Sequence, residues 1–261
     1  MAEVNGTKLY YEVSGEGESV VLIHAGKLDN RMWKDQFSEF ARYYKVIRYD
    51  VRGYGKSEVS TKPYSDIEDL FNLLKFLQID KACLIGVSMG GKIAIDFTLE
   101  HPEMVNGLIA VSPDLGGFSW SNEILQKYQQ ILETARDEGE SKAVEMWLGF
   151  PLFAPAMENP HVAPLIRKIV AENSHVFLLN PLLRRQLKPP AIERLSEIRV
   201  STLIMVGDRD VSDVLAISDT LEAKITGAKK MVIYGSGHLL NLEKPEEFNR
   251  VVLDFLSEQF L

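Results

Sequence analysis

Cysteine is almost absent from this chain, because Cys83 is the only one among 261 residues. An intramolecular disulfide is therefore excluded, and a reducing compartment is favoured over an oxidising one. Cys83 falls within an apolar run, where we expect a buried and unreactive thiol. Clusters of His or carboxylate residues at the spacing typical of metal ligands are also missing, so we expect no catalytic metal.

Long apolar runs and basic clusters are missing too. No segment reaches the roughly 18 apolar residues of a membrane-spanning helix, and residues 1–7 lack the basic start and apolar stretch of a signal peptide. The formal net charge is −8, without a cluster of Lys and Arg that could follow nucleic-acid phosphates. We therefore expect a cytoplasmic protein that binds neither nucleic acid nor membrane.

Short apolar runs alternate with helical patterns over much of the chain. The strand-like runs are residues 19–23, 44–50, 82–87, 107–112, 201–206 and 230–234. Before them, Asn5-Gly6 indicates a hairpin between residues 3–4 and a strand over residues 8–13. The runs 19–23 and 82–87 are continuous rather than alternating in hydrophobicity, which is typical of strands buried on both faces of a parallel sheet. The order predicts an α/β fold with a mostly parallel, doubly wound sheet of about eight strands.

Residues 115–198 interrupt this alternation. They contain no strand-like run, but they show helical periodicity at 124–137, 141–148 and 163–176. We expect a helical cap, inserted after the sixth strand into a core domain of residues 1–114 and 199–261. The aromatic residues of this segment either pack the cap against the core or line an apolar pocket.

A serine bracketed by glycines follows the run 82–87. Gly86 and Gly90 lie two residues on either side of Ser88, and a helical pattern begins directly after it. A tight turn between strand and helix predicts a strained serine with an exposed hydroxyl, and it leaves no room for a Cβ at either glycine. Free backbone N–H groups at the start of the helix can stabilise negative charge there.

Polar residues of catalytic type follow other predicted strands. His24, Asp210 and His238 each come after an apolar run, and Asp208 and Asp114 are rival carboxylates. The carboxyl ends of parallel strands meet at one edge of the sheet. A serine hydroxyl needs a base to become nucleophilic, and a carboxylate orients that base. The chain order Ser, Asp, His is the one expected for a serine turn of this kind. His24 is expected to be a structural residue that bonds the loop backbone.

Four segments resemble the α/β-hydrolase fold family, in particular its capped esterase, lactonase and cofactor-free haloperoxidase-like branch. Residues 86–91 are similar to the nucleophile turn, 49–57 to a loop typical of this branch, 207–210 to the acid loop and 235–238 to the histidine loop.

The resemblance implies that Ser88 is the nucleophile, His238 the general base and acid, and Asp210 the orienting carboxylate. Asp210 is favoured over Asp208 because the family's acid commonly lies three residues after the glycine. The N–H groups of Gly26 and Met89 are implied as the oxyanion hole.

The expected function is that of a serine hydrolase, without cofactor, that cleaves a small carboxylic ester or lactone through an acyl-enzyme, as a monomer or homodimer. Carbon–carbon bond hydrolysis, perhydrolysis and enol-lactone hydrolysis by the same site are alternatives, since a fold does not decide among them. A ligand-sensing protein with slow turnover is an alternative of a different class.

Overall fold

The strands lie at the predicted apolar runs in a computed structural model that describes residues 1–260. Within that range there are nine strands: β1 (Ala2–Val4), β2 (Thr7–Leu9), β3 (Tyr11–Ser14), β4 (Ser19–Ile23), β5 (Lys45–Tyr49), β6 (Ala82–Val87), β7 (Val105–Val111), β8 (Ser201–Gly207) and β9 (Lys229–Ile233).

Eleven α-helices occur in the same range: α1 (Lys34–Phe40), α2 (Asp66–Phe76), α3 (Met89–Glu100), α4 (Asn122–Asp137), α5 (Glu140–Leu148), α6 (Ala154–Glu158), α7 (Ala163–Glu172), α8 (Ala191–Arg194), α9 (Ser212–Lys224), α10 (Leu240–Glu243) and α11 (Pro245–Gln259). Short 3₁₀ helices are Asn30–Trp33, Pro102–Met104, Ser174–Leu178, Pro181–Leu183 and Leu195–Glu197.

Seven of the strands formed by residues 1–260 make one sheet, in the order β3-β5-β4-β6-β7-β8-β9. Only β3 runs antiparallel to its neighbour in this set, and the other pairs are parallel. The predicted α/β fold with a mostly parallel sheet is therefore confirmed. The parallel strands place the loops after β4, β6, β7, β8 and β9 at one edge.

Both faces of the sheet are covered, which explains the continuous apolar runs. All five residues of β4 and all six of β6 are buried. Val21 and Ile23 pack in a core cluster with residues of α2, α3 and α9, whereas Val20 and Leu22 pack in a second cluster with residues of α1 and α11. Alternate side chains of one strand thus enter two different cores.

The N-terminal segment differs from the single strand expected over residues 8–13. β1 and β2 form a separate two-stranded hairpin around Asn5-Gly6, while β3 pairs with β5 of the main sheet. Tyr10 lies between the two strands, and its N–H donates to Ser57 Oγ at 2.9 Å. The main sheet therefore has seven strands instead of about eight.

The segment between β7 and β8 contains helices α4 to α8, and among the described residues its one β-bridge joins Arg184 to Tyr64. Over residues 1–260 no helix combines the length and the apolar character that crossing a membrane requires. Cys83 is fully buried on β6, and burial raises the pKa of its thiol to about 12, as expected for an unreactive cysteine.

Candidate active site

Ser88 occupies the tight turn between β6 and α3. Its backbone has φ 54° and ψ −116°, a region that a non-glycine residue rarely adopts and that costs about 1–3 kcal/mol. The surrounding structure imposes this conformation. The turn places Ser88 in the wall of a cavity at the edge of the sheet where the parallel strands end.

The two bracketing glycines are required by close backbone contacts. A Cβ on Gly86 would lie 2.1 Å from the carbonyl oxygen of Gly90, and a Cβ on Gly90 would lie 2.2 Å from the carbonyl oxygen of Ile23. Backbone atoms cannot move aside as a flexible side chain can. The absence of a Cβ at both positions therefore lets α3 start this close to the sheet.

His238 and Asp210 meet above the ends of β8 and β9. The Nδ1 atom of His238 lies 2.9 Å from Oδ2 and 3.1 Å from Oδ1 of Asp210. The two side chains are 2% and 0% exposed. An ionised carboxylate accepts from Nδ1–H and so leaves the lone pair on Nε2, which is the tautomer that a general base needs.

The rival carboxylates of Asp208 and Asp114 bond backbone N–H groups instead of His238. Asp208 is exposed, and its Oδ1 accepts from the N–H of Gly235 at 2.6 Å. Asp114 lines the same cavity as Ser88, and its Oδ1 accepts from the N–H of Leu115 at 2.7 Å. Among the three candidates, Asp210 is the one hydrogen-bonded to His238.

The Nε2 atom of His238 is buried and has no hydrogen-bond partner among residues 1–260. Ser88 and His238 line one cavity. Catalytic hydrogen bonds are often long before substrate binds and shorten in the complex. The base position of the imidazole is therefore free to accept a proton inside the cavity that also holds the serine.

Gly26 and Met89 lie beside each other at this cavity. A Cβ on Gly26 would lie 3.8 Å from the Cβ of Met89, and both residues line the cavity. Met89 is the first residue of α3, so its N–H has no acceptor within the helix. Such a group can donate to a developing negative charge.

His24 is fully buried and bonds the loop backbone, as expected. Its Nε2 accepts from the N–H of Val51 at 2.9 Å, so its Nδ1 carries the proton and donates to the carbonyl of Ala25 at 2.8 Å. Burial lowers the pKa of His24, which favours this neutral tautomer.

Glu243 holds the histidine loop in place, a role that the sequence pattern did not indicate. Its carboxylate accepts from the N–H of Gly237 at 2.8 Å and from the N–H of Leu239 at 3.0 Å. These two residues flank His238. Burial raises the pKa of Glu243, against the effect of the two N–H donors.

The cavity has a volume of about 340 Å³ and a mostly apolar wall. Much of this wall comes from the segment between β7 and β8, whose contributing residues are Asp114, Trp120, Ile124, Leu125, Tyr128, Trp147, Phe150, Leu152, Phe153 and Arg184. Trp147 also stacks on Phe150 with ring centroids 4.9 Å apart. The same aromatic residues therefore both pack the segment and line the cavity.

Lys27, which directly follows Gly26, is a buried cation in this wall and is 7% exposed. Its Nζ donates to the carbonyl of Val176 at 3.3 Å and lies 4.8 Å from the ring centroid of Phe177. Burial, together with the smaller effect of the positive charge of Arg184, lowers the pKa of Lys27 to about 7.

Arg184 is the second cation. Its Nε lies 2.9 Å from Oδ2 of Asp66, and its Nη1 lies 3.2 Å from the sulfur of Met89. Within the described part of the chain, Nη2 is buried without a hydrogen-bond partner. The backbone around Arg184 is fixed by two backbone hydrogen bonds. The N–H of Tyr64 donates to the carbonyl oxygen of Leu183, and the N–H of Arg185 donates to the carbonyl oxygen of Tyr64, both at 2.8 Å.

Neither cation was predicted from the sequence. Lys27 could have been suspected from its place beside Gly26, but a lone lysine in a loop is normally exposed. Arg184 follows a 3₁₀ turn in a proline-rich segment, and no periodic pattern marks it as buried.

The chain is similar to known proteins over most of its length. The model of the "Alpha/beta hydrolase family" matches residues 20–251. A 2-hydroxy-6-oxononadienedioate/2-hydroxy-6-oxononatrienedioate hydrolase of Burkholderia vietnamiensis is 29% identical over 97% of this chain and 92% of its own.

Two solved structures have the same fold. The enol-lactonase from Burkholderia xenovorans LB400 has a TM-score of 0.80 and 26% identity, over 98% of this chain and 99% of its own. A thermophilic esterase from Thermogutta terrifontis has a TM-score of 0.84 and 26% identity, over 98% of this chain and 95% of its own. These similar proteins are named for different substrates.

Proposed function

Because the chain belongs to the alpha/beta hydrolase family, and is therefore a hydrolase, we propose that it cleaves small carboxylic esters or lactones through an acyl-enzyme on Ser88. The observation that carries this proposal is the shared cavity: the strained turn of Ser88 and a His238 already bonded to Asp210 both open into it.

In the proposed reaction, the Oγ of Ser88 attacks the substrate carbonyl while Nε2 of His238 takes the hydroxyl proton. Asp210 keeps the imidazole oriented and stabilises its positive charge. The N–H groups of Gly26 and Met89 donate to the oxygen that becomes negative. His238 then gives its proton to the leaving alkoxide, and it later activates the water that releases the acid from Ser88.

The proposal assigns residues 115–198 to a cap over a core of residues 1–114 and 199–261. Support comes from the cavity wall, which joins Ser88 and His238 of the core to aromatic residues such as Trp147 and Phe153. We also propose a cytoplasmic location, which the single buried cysteine favours. The oligomeric state is proposed as monomer or homodimer, with no metal or cofactor in the reaction.

Hydrolysis of 4-nitrophenyl acetate, combined with labelling by a fluorophosphonate, tests the proposal. Ser88→Ala should lower kcat by up to about 10⁶-fold, and mass spectrometry should locate the label on Ser88. Ser196→Ala, at an exposed serine, is the matched control and should keep the wild-type rate. Wild-type hydrolysis by Ser88→Ala would contradict the proposal, whereas labelling with almost no turnover would favour a ligand-sensing protein.

Hydrolysis of a carbon–carbon bond is the second candidate, favoured by the similarity to the hydrolase from Burkholderia vietnamiensis named above. A 2-hydroxy-6-oxo-dienoate separates the two functions, because its cleavage can be followed by loss of its absorbance. A kcat/KM for the dienoate well above that for every ester and lactone tested would favour carbon–carbon cleavage. The reverse order would favour the esterase.

A further inference from the structure

Two cations line a mostly apolar cavity, and the proposed reaction on Ser88 uses neither of them. Building on the proposed function, we infer that the preferred substrate is an ester or lactone that also bears a carboxylate, which Lys27 and Arg184 bind. The acid released would then be a dicarboxylic acid, or the alcohol released would carry the second carboxylate.

The burial of Lys27 supports this inference. The ammonium contacts a neutral carbonyl and an aromatic face, and within residues 1–260 it forms no ion pair with a carboxylate. A buried charge without a counter-ion is unfavourable. A carboxylate in the cavity would supply the missing counter-ion, so binding an anion gains more here than at an exposed lysine.

Arg184 supplies the complementary donor. Asp66 offsets its charge from the Nε side, while Nη2 remains buried without a partner in the described part of the chain. The bridge to Tyr64 fixes the backbone of Arg184, and the ion pair with Asp66 fixes its side chain, before substrate binds. A planar guanidinium with a free N–H group fits a carboxylate well.

The cavity favours a single negative charge over a phosphate. Its other titratable groups are Tyr54, Asp114, Tyr128 and His238. Burial raises the pKa of Tyr54 to about 12 and also raises that of Tyr128, so both are neutral at pH 7. Asp114 already adds a negative charge to the wall. The two charges of a phosphate lie on one group and would exceed the one positive charge that Lys27 leaves unpaired, whereas a dicarboxylate such as glutarate brings only one of its two separated charges to Lys27.

Groups just outside the cavity do not neutralise Lys27. Asp29, on the same loop, is bonded to Arg31 and Asn173. His175, next to the Val176 carbonyl, lies with its Nε2 3.0 Å from the carbonyl oxygen of Gly53.

Paired esters test the inference. Monomethyl esters of succinic, glutaric and adipic acid are compared with methyl esters of the unbranched acids of equal carbon number, by titration of released acid. The wild type should favour at least one anionic ester in kcat/KM. Lys27→Met should lower the anionic-to-neutral ratio about tenfold to a hundredfold. Lys81→Met removes the same charge from an exposed position and should leave the ratio unchanged.

Inhibition of the wild-type enzyme by glutarate needs no variant and so does not depend on how Lys27→Met folds. Glutarate should compete with a neutral ester. Because carboxylate binding requires a protonated Lys27, its Ki should rise about tenfold from pH 6 to pH 8 around the pKa of about 7.

The outcomes separate the inference from the proposed function. Equal kcat/KM for anionic and neutral esters, with no inhibition by glutarate, would overturn the inference and leave the esterase proposal intact. If no ester is cleaved and Ser88 is not labelled, the proposed function fails. In that case, glutarate binding by calorimetry decides: binding that Lys27→Met abolishes supports the anion site, and its absence in the wild type overturns it.

Discussion

The burial of Lys27 predicts that the protein becomes more stable as the pH rises above 7. In the unfolded chain the ammonium has its ordinary pKa of 10.5, whereas in the folded protein burial lowers this pKa to about 7. Between these two values the unfolded chain binds more protons, so the free energy of unfolding increases with pH. Below about pH 6 both states are protonated, and Lys27 contributes no slope.

The size of the effect follows from the two pKa values. Complete deprotonation would recover about 5 kcal/mol, and the part recovered between pH 7 and pH 9 is about 2 kcal/mol. Urea unfolding of the wild type and of Lys27→Met at pH 7, 8 and 9, followed by tryptophan fluorescence, measures it. The difference in unfolding free energy, wild type minus variant, should rise by about 2 kcal/mol over this range.

Lys81→Met is the control because the side chain of Lys81 is exposed. Its difference from the wild type should stay constant within about 0.5 kcal/mol. A difference that is equally flat for Lys27→Met would show that Lys27 keeps its ordinary pKa. The ammonium would then be solvated or paired in the folded protein, and the argument from its burial would be refuted.

Three further predictions concern the turn that holds Ser88, Ser88 itself and the carboxylate bonded to His238. Gly90→Ala places a Cβ 2.2 Å from the carbonyl oxygen of Ile23, so it should lower the free energy of unfolding by about 1–3 kcal/mol and kcat/KM about 100-fold. Wild-type values in denaturation and ester assays would show that the turn has room. Ser88→Gly should be more stable than Ser88→Ala by about 1 kcal/mol, because glycine relieves the strain at φ 54°, and equal unfolding free energies would contradict this. Asp210→Asn should lower kcat about 10⁴-fold, whereas Asp208→Asn should change it less than about threefold since Asp208 bonds a backbone N–H away from His238. Equal losses for the two variants in the same assay would count against the assignment of the acid.

The sheet could be predicted because the hydrophobicity of each strand's own residues reflects whether its faces are buried. A strand covered on both faces, such as Ser19–Ile23, is apolar at almost every position. The close contact of Gly86 with the carbonyl oxygen of Gly90 is likewise a local requirement, whereas Gly90 is required by the carbonyl oxygen of Ile23, far along the chain. The break at Tyr10 is different. Its N–H bonds Ser57, far along the chain, so no local signal marks the position where one predicted strand becomes two.

The choice between Asp208 and Asp210 is one that the local sequence does not decide and that the hydrogen bonds in the structure do. Both follow the same strand, and spacing within this sequence does not separate them. The resemblance favoured Asp210, and in the structure Asp210 contacts His238 while Asp208 contacts Gly235. A separation of two residues in the turn after one strand is enough to direct one carboxylate toward His238 and the other toward solvent.

The two cations were beyond sequence reasoning for a physical reason. Parallel strand ends converge whatever the loops contain, so Ser88 and His238 are brought to one cavity by topology alone. Val176 and Phe177 of the inserted segment cover Lys27, and this covering depends on contacts between distant parts of the chain. Residues that set the reaction class therefore follow from the order of strands, whereas residues that would select a carboxylate follow from how the insertion packs. A change in that packing would alter substrate preference and leave the chemistry at the strand ends in place.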